Sequence, residues 1–334
     1  MSFSIEPVSG ITNEKILSLA GDTRFVTHAN NPCIVEILRS TFGWKGGTFI
    51  VYADGKAAGI FSCMFINGTI VSMPHFSYGG LITSLPARND VFNAVLPLIH
   101  SFFTGKQTHS ILYLLRDISP VGRRVVDSKV ISWMDIKNKT VATAIPASQM
   151  AKVRKAIQSG IYTKSGGVDL LQDFYAVYSR NMLRLGSPVL PQRFFENILK
   201  GYKNGDAFIL CAYKDKKPVG AGFLMSYAGF FENTWFSTLK GFNHLFPSQL
   251  LHHEMIQFAI QQGGHTYSFG RSSSGSGVHE YKRRWNTEDS IIYWNYDQEG
   301  KMDLRKAGFL TQLWKLLPLP LANSLGPLLS ARIY

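Results

Sequence analysis

The sequence predicts a mixed α/β protein built from two similar units, and three observations support this fold class. The chain has 334 residues, of which 45% are hydrophobic and 17% charged, so it is long enough for two packed domains. A hairpin pattern occurs in each half of the chain, and helical patterns lie beside both hairpins. We interpret this recurrence as an internal duplication, with one α/β unit in each half.

The two hairpins share one plan. The first covers residues 49–65 (FIVYADGKAAGIFSCMF), where Asp54-Gly55 separates two apolar runs. The second covers residues 208–227 (FILCAYKDKKPVGAGFLMSY), with the four residues 214–217 at the turn. Apolar runs of strand length on both sides of a short polar turn are typical of antiparallel hairpins.

The remaining elements follow from apolar periodicity and from helix start and stop residues. Helical patterns precede the hairpins at residues 31–42, 167–185 and 191–202. After the second hairpin the sequence predicts a strand at 231–238, a helix at 247–262, a strand at 265–269 and a strand at 290–296.

The boundary between the units falls at residues 141–148, just before a basic helical segment at 149–159 (QMAKVRKAIQS). We therefore expect an N-terminal domain over residues 1–145, a C-terminal domain over 146–300 and an apolar C-terminal tail over 301–334. Three prolines interrupt this tail. It either docks on the core or attaches the protein to an anionic membrane surface.

The charge balance narrows the class of partner. The 35 Lys and Arg residues exceed the 22 Asp and Glu residues by 13, which favours anionic partners such as nucleic acid, acidic lipid or phosphate-bearing substrates. The three cysteines are too few and too widely spaced to predict a disulfide framework or a zinc site. With no signal peptide or spanning segment in the sequence, we expect a cytoplasmic protein, with peripheral contact to the inner face of the membrane as an alternative.

The segment 269–285 (FGRSSSGSGVHEYKRRW) combines small residues with a cluster of cations. It fails the P-loop pattern at Ser276 and Gly277, and it fails the dinucleotide pattern G-x-G-x-x-G at Glu280. A more general expectation remains: backbone amides of the small residues face an anion, and a helix that starts near Val278 places Lys282 close to it.

Other catalytic patterns are absent from the sequence. There is no nucleophile elbow, and the adjacent histidines His252 and His253 do not form H-E-x-x-H. We therefore expect no metal site and no covalent enzyme intermediate. A general base is the least determined part of the prediction: Glu232 and Glu254 are the candidates, and a structural role is favoured for both.

Several segments together carry a family resemblance. In order they read FSYGGL (76–81), KVRKAIQSGI, LLQDFYAVYSRNMLRLGSPVLPQRFF, FGRSSSGSGVHEYKRRW and WKLLPLPLANSLGPLL. This order and spacing resemble the FemAB-like proteins with BioF2-like acetyltransferase domains, and most of all the subgroup associated with exosortase and exopolysaccharide systems. The resemblance covers residues 31–329.

The resemblance implies a fold of two tandem GNAT-like domains, each with a mixed, mostly antiparallel sheet flanked by helices. It also implies transfer of an acyl or aminoacyl group to an amine of a cell-envelope or exopolysaccharide precursor, the phosphate-bearing partner expected here. The expected co-substrate is acyl-CoA, acyl carrier protein or aminoacyl-tRNA, with no tightly bound cofactor. Two alternatives are an aminoacyl-tRNA-dependent transferase of the peptidoglycan type and a non-catalytic binding protein of envelope polysaccharide assembly.

The family pattern of an aromatic residue followed by lysine matches Tyr281-Lys282, so the resemblance implies that Lys282 stabilises developing charge and is the catalytic residue. Asn286 stands where the family commonly has glycine, and asparagine tolerates the same left-handed backbone. The predicted substrate-binding residues are Tyr78, Gly79, Gly80, Arg154, Arg271, Ser274, Gly275, Ser276, Gly277, Tyr281 and Arg283. Arg154 either binds an acceptor phosphate or lies on a solvated helix face.

Overall fold

The computed structural model describes residues 1–8, 12–20, 24, 26–85, 88–104, 109–114, 124–296 and 308–332. The strands are β1 (Phe3–Val8), β2 (Lys45–Ala53), β3 (Lys56–Ile66), β4 (Thr69–Val71), β5 (Leu81–Thr83), β6 (His109–Leu114), β7 (Arg124–Asp135), β8 (Tyr162–Gly166), β9 (Ala207–Lys214), β10 (Lys217–Tyr227), β11 (Phe230–Thr238), β12 (Thr266–Ser273) and β13 (Glu288–Tyr296).

Helices cover the sheet and connect its strands. They are α1 (Asn13–Ala20), α2 (Pro32–Phe42), α3 (Arg88–Thr104), α4 (Val141–Ala144), α5 (Ala147–Gln158), α6 (Leu171–Leu185), α7 (Gln192–Gly201), α8 (Pro247–Gln261), α9 (Gly277–Arg283), α10 (Gly308–Lys315) and α11 (Leu319–Ser330). Short 3-10 turns lie before α2, α6 and α8.

The strands form one large sheet in the order β1-β2-β3-β4-β6-β13-β7-β12-β11-β10-β9-β8, with β5 paired to β3. Most neighbours are antiparallel, and among the described strands β4 with β6 and β11 with β12 are the parallel pairs. The sheet is therefore mixed, mostly antiparallel and flanked by helices, as expected for the predicted fold class.

The duplication is visible in the geometry. Both hairpins turn through two left-handed residues, Asp54-Gly55 and Asp215-Lys216, and the first residues of these turns lie 161 positions apart (215 minus 54). Both pairs of strands also show a register shift at the same place, just before Gly59 and Gly220. The second turn therefore has two residues, and the sequence-based assignment of four residues was too long because Lys214 and Lys217 pair with each other.

The two units exchange their last strands. Strand β7, which precedes the expected boundary, pairs with β12 of the second unit, whereas β13 of the second unit pairs with β6 of the first. β7 and β13 also pair with each other along most of their length. The expected domain limits stay a prediction, and the exchange means that a cut at residue 145 would leave each unit without a strand that its own sheet contacts.

A shared aromatic core lies between the two units. Phe76 of the first unit lies within aromatic contact distance of Phe194 and Trp235 of the second, with ring centroids 6.2 and 5.7 Å apart. Phe195 and Phe223 extend the same cluster. Such stacks bury large apolar areas and hold their neighbours in fixed positions, so this core fixes the first unit against the strand that carries Trp235.

Candidate active site

The parallel strands β11 and β12 separate in the middle of the sheet. They pair from Phe230 with Thr266 to Glu232 with Ser268, and the pairing ends there. Beyond this point β12 continues against β7 with a register shift between Ser268 and Arg271, while β11 continues against β10 with a shift after Asn233. Two diverging strands leave backbone groups that an extended ligand can pair with.

Glu232 lies at the point where the strands separate, and it is fully buried. Ser77 Oγ donates a hydrogen bond of 2.8 Å to one carboxylate oxygen, and Ser268 Oγ donates one of 3.0 Å to the other. Burial raises the pKa of Glu232, whereas these hydrogen bonds and the charges of Lys282 and Arg271 lower it. A buried carboxylate with this many partners holds its neighbours in place.

Lys282 is buried on α9, at 6% exposure. Its Nζ donates hydrogen bonds to the carbonyl oxygens of Gly270, at 2.7 Å, and of Arg271, at 3.0 Å. Burial lowers the pKa of Lys282 to about 7, and the charges of Glu232 and Asp289 act in the opposite direction. Lys282 therefore changes its charge close to neutral pH, which is a feature of functional lysines.

Local structure presents two carbonyl groups to this lysine. Gly270 has a φ of +71°, and a Cβ added at this position would lie 3.3 Å from the backbone oxygen of Asn233. Helix α9 begins at Gly277 with Ser276 as its N-cap, whose hydroxyl accepts from the amide of His279. The predicted helix near Val278 is confirmed, and Asn286 has the left-handed conformation expected of it, with a φ of +55°.

Arg271 joins the two segments that the sequence analysis singled out. Its Nη1 donates to the carbonyl oxygen of Phe76 at 3.2 Å, and its guanidinium lies 5.6 Å from the ring centroid of Trp294. Together with the bond from Ser77 to Glu232, this contact brings the segment 76–81 against the segment 269–285. The site is therefore built from both units.

The Gly/Ser segment differs from the expected anion-binding loop. Residues up to Ser273 belong to β12, so the loop itself is a short turn. The amides of Ser274 and Gly275 donate to the oxygen of Ser128 and to Nδ1 of His279, respectively, and the Nε2 of His279 lies 2.7 Å from Asp289. These amides are already bonded within the protein, because the serine-rich run forms strand pairs and a helix cap.

The other predicted binding residues fall into two groups. Tyr78, Gly79 and Gly80 are buried in the first unit, where a Cβ at Gly79 would lie 2.6 Å from a side-chain carbon of Met73. These three residues are therefore closely packed inside the first unit. Their neighbour Ser77, in the same segment 76–81, is the residue that contacts Glu232.

The remaining three predicted binding residues are Arg154 and Arg283, which lie on the surface, and Tyr281, which packs inside the second unit. Arg154 and Arg283 are exposed, and Arg283 lies 3.7 Å from Glu280. Tyr281 packs toward His252, with ring centroids 6.0 Å apart, and burial raises its pKa to about 12. Gln149 bonds the oxygen of Arg284 at 3.2 Å and thereby connects the start of α5 with the end of α9.

Sequence reasoning missed three buried polar residues at this site: Ser268, Asn233 and His28. Among the described residues, neither amide atom of Asn233 and neither ring nitrogen of His28 has a hydrogen-bond partner. The His28 ring lies 3.8 Å from Glu232, and burial lowers its pKa to about 3. One signal was available, since the pair Glu232-Asn233 interrupts an aromatic strand (FFENTWF).

The first unit serves as an internal comparison for this site. The 161-residue spacing of the duplication relates Glu232 to Val71 (232 minus 71), and both residues lie at the end of a parallel pairing. Val71 pairs with Ile111, whereas Glu232 pairs with Ser268. At the end of this pairing, the same backbone therefore carries two apolar residues in the first unit and a hydrogen-bonded polar pair in the second.

Within the described ranges, no group of His, Cys, Asp and Glu side chains is arranged to hold a metal ion. Over the same part of the chain, none of the helices has the length and apolar character that a bilayer-spanning segment requires.

A family comparison matches most of the second unit to a known domain. Residues 148–283 match the family model described as Acetyltransferase (GNAT) domain, and this range contains β11, β12 and Lys282. No curated protein matches the chain significantly by sequence. Residues 148–283 thus match a GNAT domain that contains Glu232, Ser268 and Lys282, whereas Phe76 and Ser77, which contact Arg271 and Glu232, lie in the first unit outside the match.

Solved structures extend the comparison to the rest of the chain. The crystal structure of FemX has a TM-score of 0.66 at 14% identity, and the match covers 94% of this chain and 100% of that one. A tandem GNAT protein from the clavulanic acid biosynthesis pathway has a TM-score of 0.57 at 10% identity, with coverages of 90% and 100%.

A third match is the C-terminal domain of a putative lysylphosphatidylglycerol synthetase from Agrobacterium fabrum, with a TM-score of 0.57, 11% identity and coverages of 91% and 96%. At these identities the likeness concerns the fold. The protein has the fold of tandem GNAT proteins, as the family resemblance implied. Its placement in the exosortase-associated subgroup stays a prediction.

Proposed function

We propose that this protein transfers an acyl or aminoacyl group directly to an amine of a cell-envelope or exopolysaccharide precursor, without a covalent enzyme intermediate. The observation that carries the proposal is the buried pair of Lys282 and Glu232 at the point where β11 and β12 separate, inside the matched GNAT domain. The cytoplasmic side of the envelope is the proposed location, since such precursors carry phosphate groups that suit a protein with a net charge of +13.

The donor is an acyl-CoA, acyl carrier protein or aminoacyl-tRNA, and acyl-CoA is the co-substrate typical of GNAT domains. We place its acyl end in the gap between β11 and β12. Asn233 supports this placement, because its buried amide has both a donor and an acceptor without a partner among the described residues. An unpaired buried amide costs about 1 to 3 kcal/mol, and a ligand that bonds to it recovers this cost.

The transfer itself needs few steps. The acceptor amine attacks the acyl carbon, a carbon–nitrogen bond forms, and the bond from carbon to the sulfur or oxygen of the donor breaks. The negative charge that develops on the carbonyl oxygen passes to the leaving atom, which takes up the proton released by the amine. A buried cation beside this oxygen stabilises the transition state; by analogy, one oxyanion donor of a serine protease contributes about 2.7 to 4 kcal/mol.

Lys282 is the proposed source of that cation. Two of its three N–H bonds are directed at the oxygens of Gly270 and Arg271, which leaves one for the substrate. Glu232 acts as a positioning residue, because its charge favours the protonated form of Lys282 and both of its oxygens already accept from serines. The charge of Arg271 lowers the pKa of Glu232 and so favours its ionised form.

The predicted acceptor contacts stay part of this proposal. Exposed cations on α5 and α9, including Arg154 and Arg283, provide a basic surface that a phosphate-bearing precursor or tRNA can contact. Transfer from aminoacyl-tRNA is the second candidate, and this basic surface favours it. It predicts binding of tRNA that weakens steeply as the salt concentration rises.

The test is a transfer assay with purified protein, radiolabelled acyl-CoA, acylated carrier protein or charged tRNA, and amine-bearing envelope precursors. We expect product from one of these donors and a loss of about 100-fold or more in Lys282→Met. Lys217→Met is the matched control, since Lys217 is exposed in the β9–β10 hairpin. Absence of transfer from every donor, together with retained precursor binding, would favour the non-catalytic alternative.

A further inference from the structure

The C-terminal helices α10 and α11 pack on the protein with their small residues inward. Ala322, Gly326 and Ser330 of α11 are buried, and they occur at every fourth position, which places them on one side of the helix. A Cβ at Gly326 would lie 2.6 Å from a side-chain carbon of Val189. Close packing of α11 therefore depends on small side chains rather than large apolar ones.

The large apolar side chains of the same helix face away from the protein. Leu321, Leu325, Leu328 and Leu329 are 45%, 38%, 66% and 37% exposed. An amphipathic helix that only stabilises a core buries its leucines, whereas α11 buries small residues and exposes its leucines. A cluster of exposed leucines of this kind marks a surface that binds a partner protein or a membrane.

Helix α10 continues this surface. Phe309 is 74% exposed and Leu316 is 80% exposed. A Cβ at Gly186, the C-cap of α6, would lie 2.4 Å from the side chain of Thr311, so α10 lies against the end of α6. Both tail helices thus rest on the same part of the second unit, and both direct large apolar side chains outward.

We propose that this outward face of α10 and α11 docks the protein on the surface of an anionic lipid bilayer. Charge decides between a bilayer and another protein as the occupant. The tail, residues 301–334, contains five Lys or Arg residues and one Asp; Lys315 is the last residue of α10, and Arg332 follows the end of α11. Leucine and aromatic residues flanked by cations bind in the interfacial plane of anionic membranes.

The tail helices lie close to the proposed acyl-transfer site, so docking on a bilayer would bring this site near lipid-linked substrates. Asn181, on the last part of α6, donates to Ser237 of β11 at 3.1 Å, so the end of α6 lies beside the part of β11 that has left β12. The tail helices pack on α6, and α6 in turn contacts the strand β11 that borders the proposed acyl-transfer gap. A lipid-linked acceptor could reach the gap while its tail stays in the membrane.

The test is vesicle co-sedimentation of the purified full chain, with phosphatidylcholine vesicles and with vesicles that also contain phosphatidylglycerol. We expect the protein to sediment with the anionic vesicles. The double variant Leu325→Gln with Leu328→Gln should lose binding by about tenfold or more, and Arg332→Glu should lose it on anionic vesicles. Ile157→Gln, which changes a 57% exposed side chain elsewhere, is the matched control and should bind like the wild type.

Two outcomes overturn the proposal. One is equal sedimentation of the wild type and the double variant. The other is a wild type that does not sediment with vesicles but forms a dimer in light scattering, with a monomeric double variant, which would make a second copy of the chain the occupant. Because sedimentation requires no turnover, a failure here leaves the proposed acyl transfer unaffected, and a failure of acyl transfer leaves the lipid result unaffected.

Discussion

Replacing Lys282 with methionine removes an amine whose charge changes near neutral pH. The pKa of Lys282 falls from its ordinary 10.5 to about 7 because the side chain is buried, and a difference of this size corresponds to about 5 kcal/mol against the charged form. In the unfolded chain the same amine keeps its proton up to about pH 10. Between these two values the unfolded state binds more protons than the folded state.

The sign of the pH dependence follows. Wherever the unfolded state binds more protons, the free energy of unfolding rises with pH. The cost of burying the charged amine of Lys282 is therefore fully present below pH 7, and it is relieved as the pH rises toward 10.5. Between pH 7 and 8.5 the expected gain in the free energy of unfolding is about 2 kcal/mol. The Lys282→Met variant has no amine to titrate, so it should lack this gain.

The assay is urea denaturation of the wild type, Lys282→Met and the surface control Lys217→Met at several pH values between 6 and 8.5. The wild type and the control should gain stability together, and the free energy of unfolding of the wild type minus that of Lys282→Met should rise by about 2 kcal/mol between pH 6 and 8.5. A difference that stays constant over this range would refute the assignment of a pKa near 7 to Lys282, and with it the electrostatic argument for the site.

Three further predictions concern the neighbours of Lys282. Glu232→Gln removes the charge that raises the pKa of Lys282, so the midpoint of the lysine titration should move below 7, as measured by the pH profile of the transfer rate; an unchanged midpoint would exclude this coupling. Asn233→Ala removes an unpaired buried amide and should stabilise the free protein by about 1 kcal/mol while raising the KM for the donor; unchanged donor kinetics would remove Asn233 from the gap. Trp285→Ala empties a fully buried position below α9 and should cost about 3 to 5 kcal/mol in denaturant unfolding; a cost under 1 kcal/mol would show that α9 is held by other contacts.

The local elements could be predicted from the sequence because their signals are local. Pro32 after an N-capping Asn31, the two short turns, and the apolar periodicity of α8 each act over a few residues. The start of α9 belongs to the same class, since Ser276 is a preferred N-cap residue whose hydroxyl accepts from the amide of His279. These predictions are confirmed to within a few residues.

Lys282 was identified from the family resemblance, and its burial came from the tertiary structure. The sequence shows a basic cluster at residues 282–284 in which three cations look alike. In the fold, Arg283 and Arg284 are exposed while Lys282 lies under the bulge at Gly270. A seven-residue helix directs successive side chains about 100° apart, so which cation enters the core depends on how α9 packs on β12.

The hydrogen-bonded centre of the site could not be read from the sequence at all. Ser77 and Glu232 are 155 positions apart, and they meet because the first unit packs against β11 through the aromatic core around Phe76. The exchange of β7 and β13 is equally non-local, since either strand could pair within its own unit with the same alternation of side chains. The repeated hairpins, the helices, the net positive charge and the apolar tail all follow from local sequence patterns and composition. Which unit carries polar residues between its parallel strands, and which way the leucines of the tail face, depends instead on contacts between residues far apart in the chain, so these features appear in the folded structure alone.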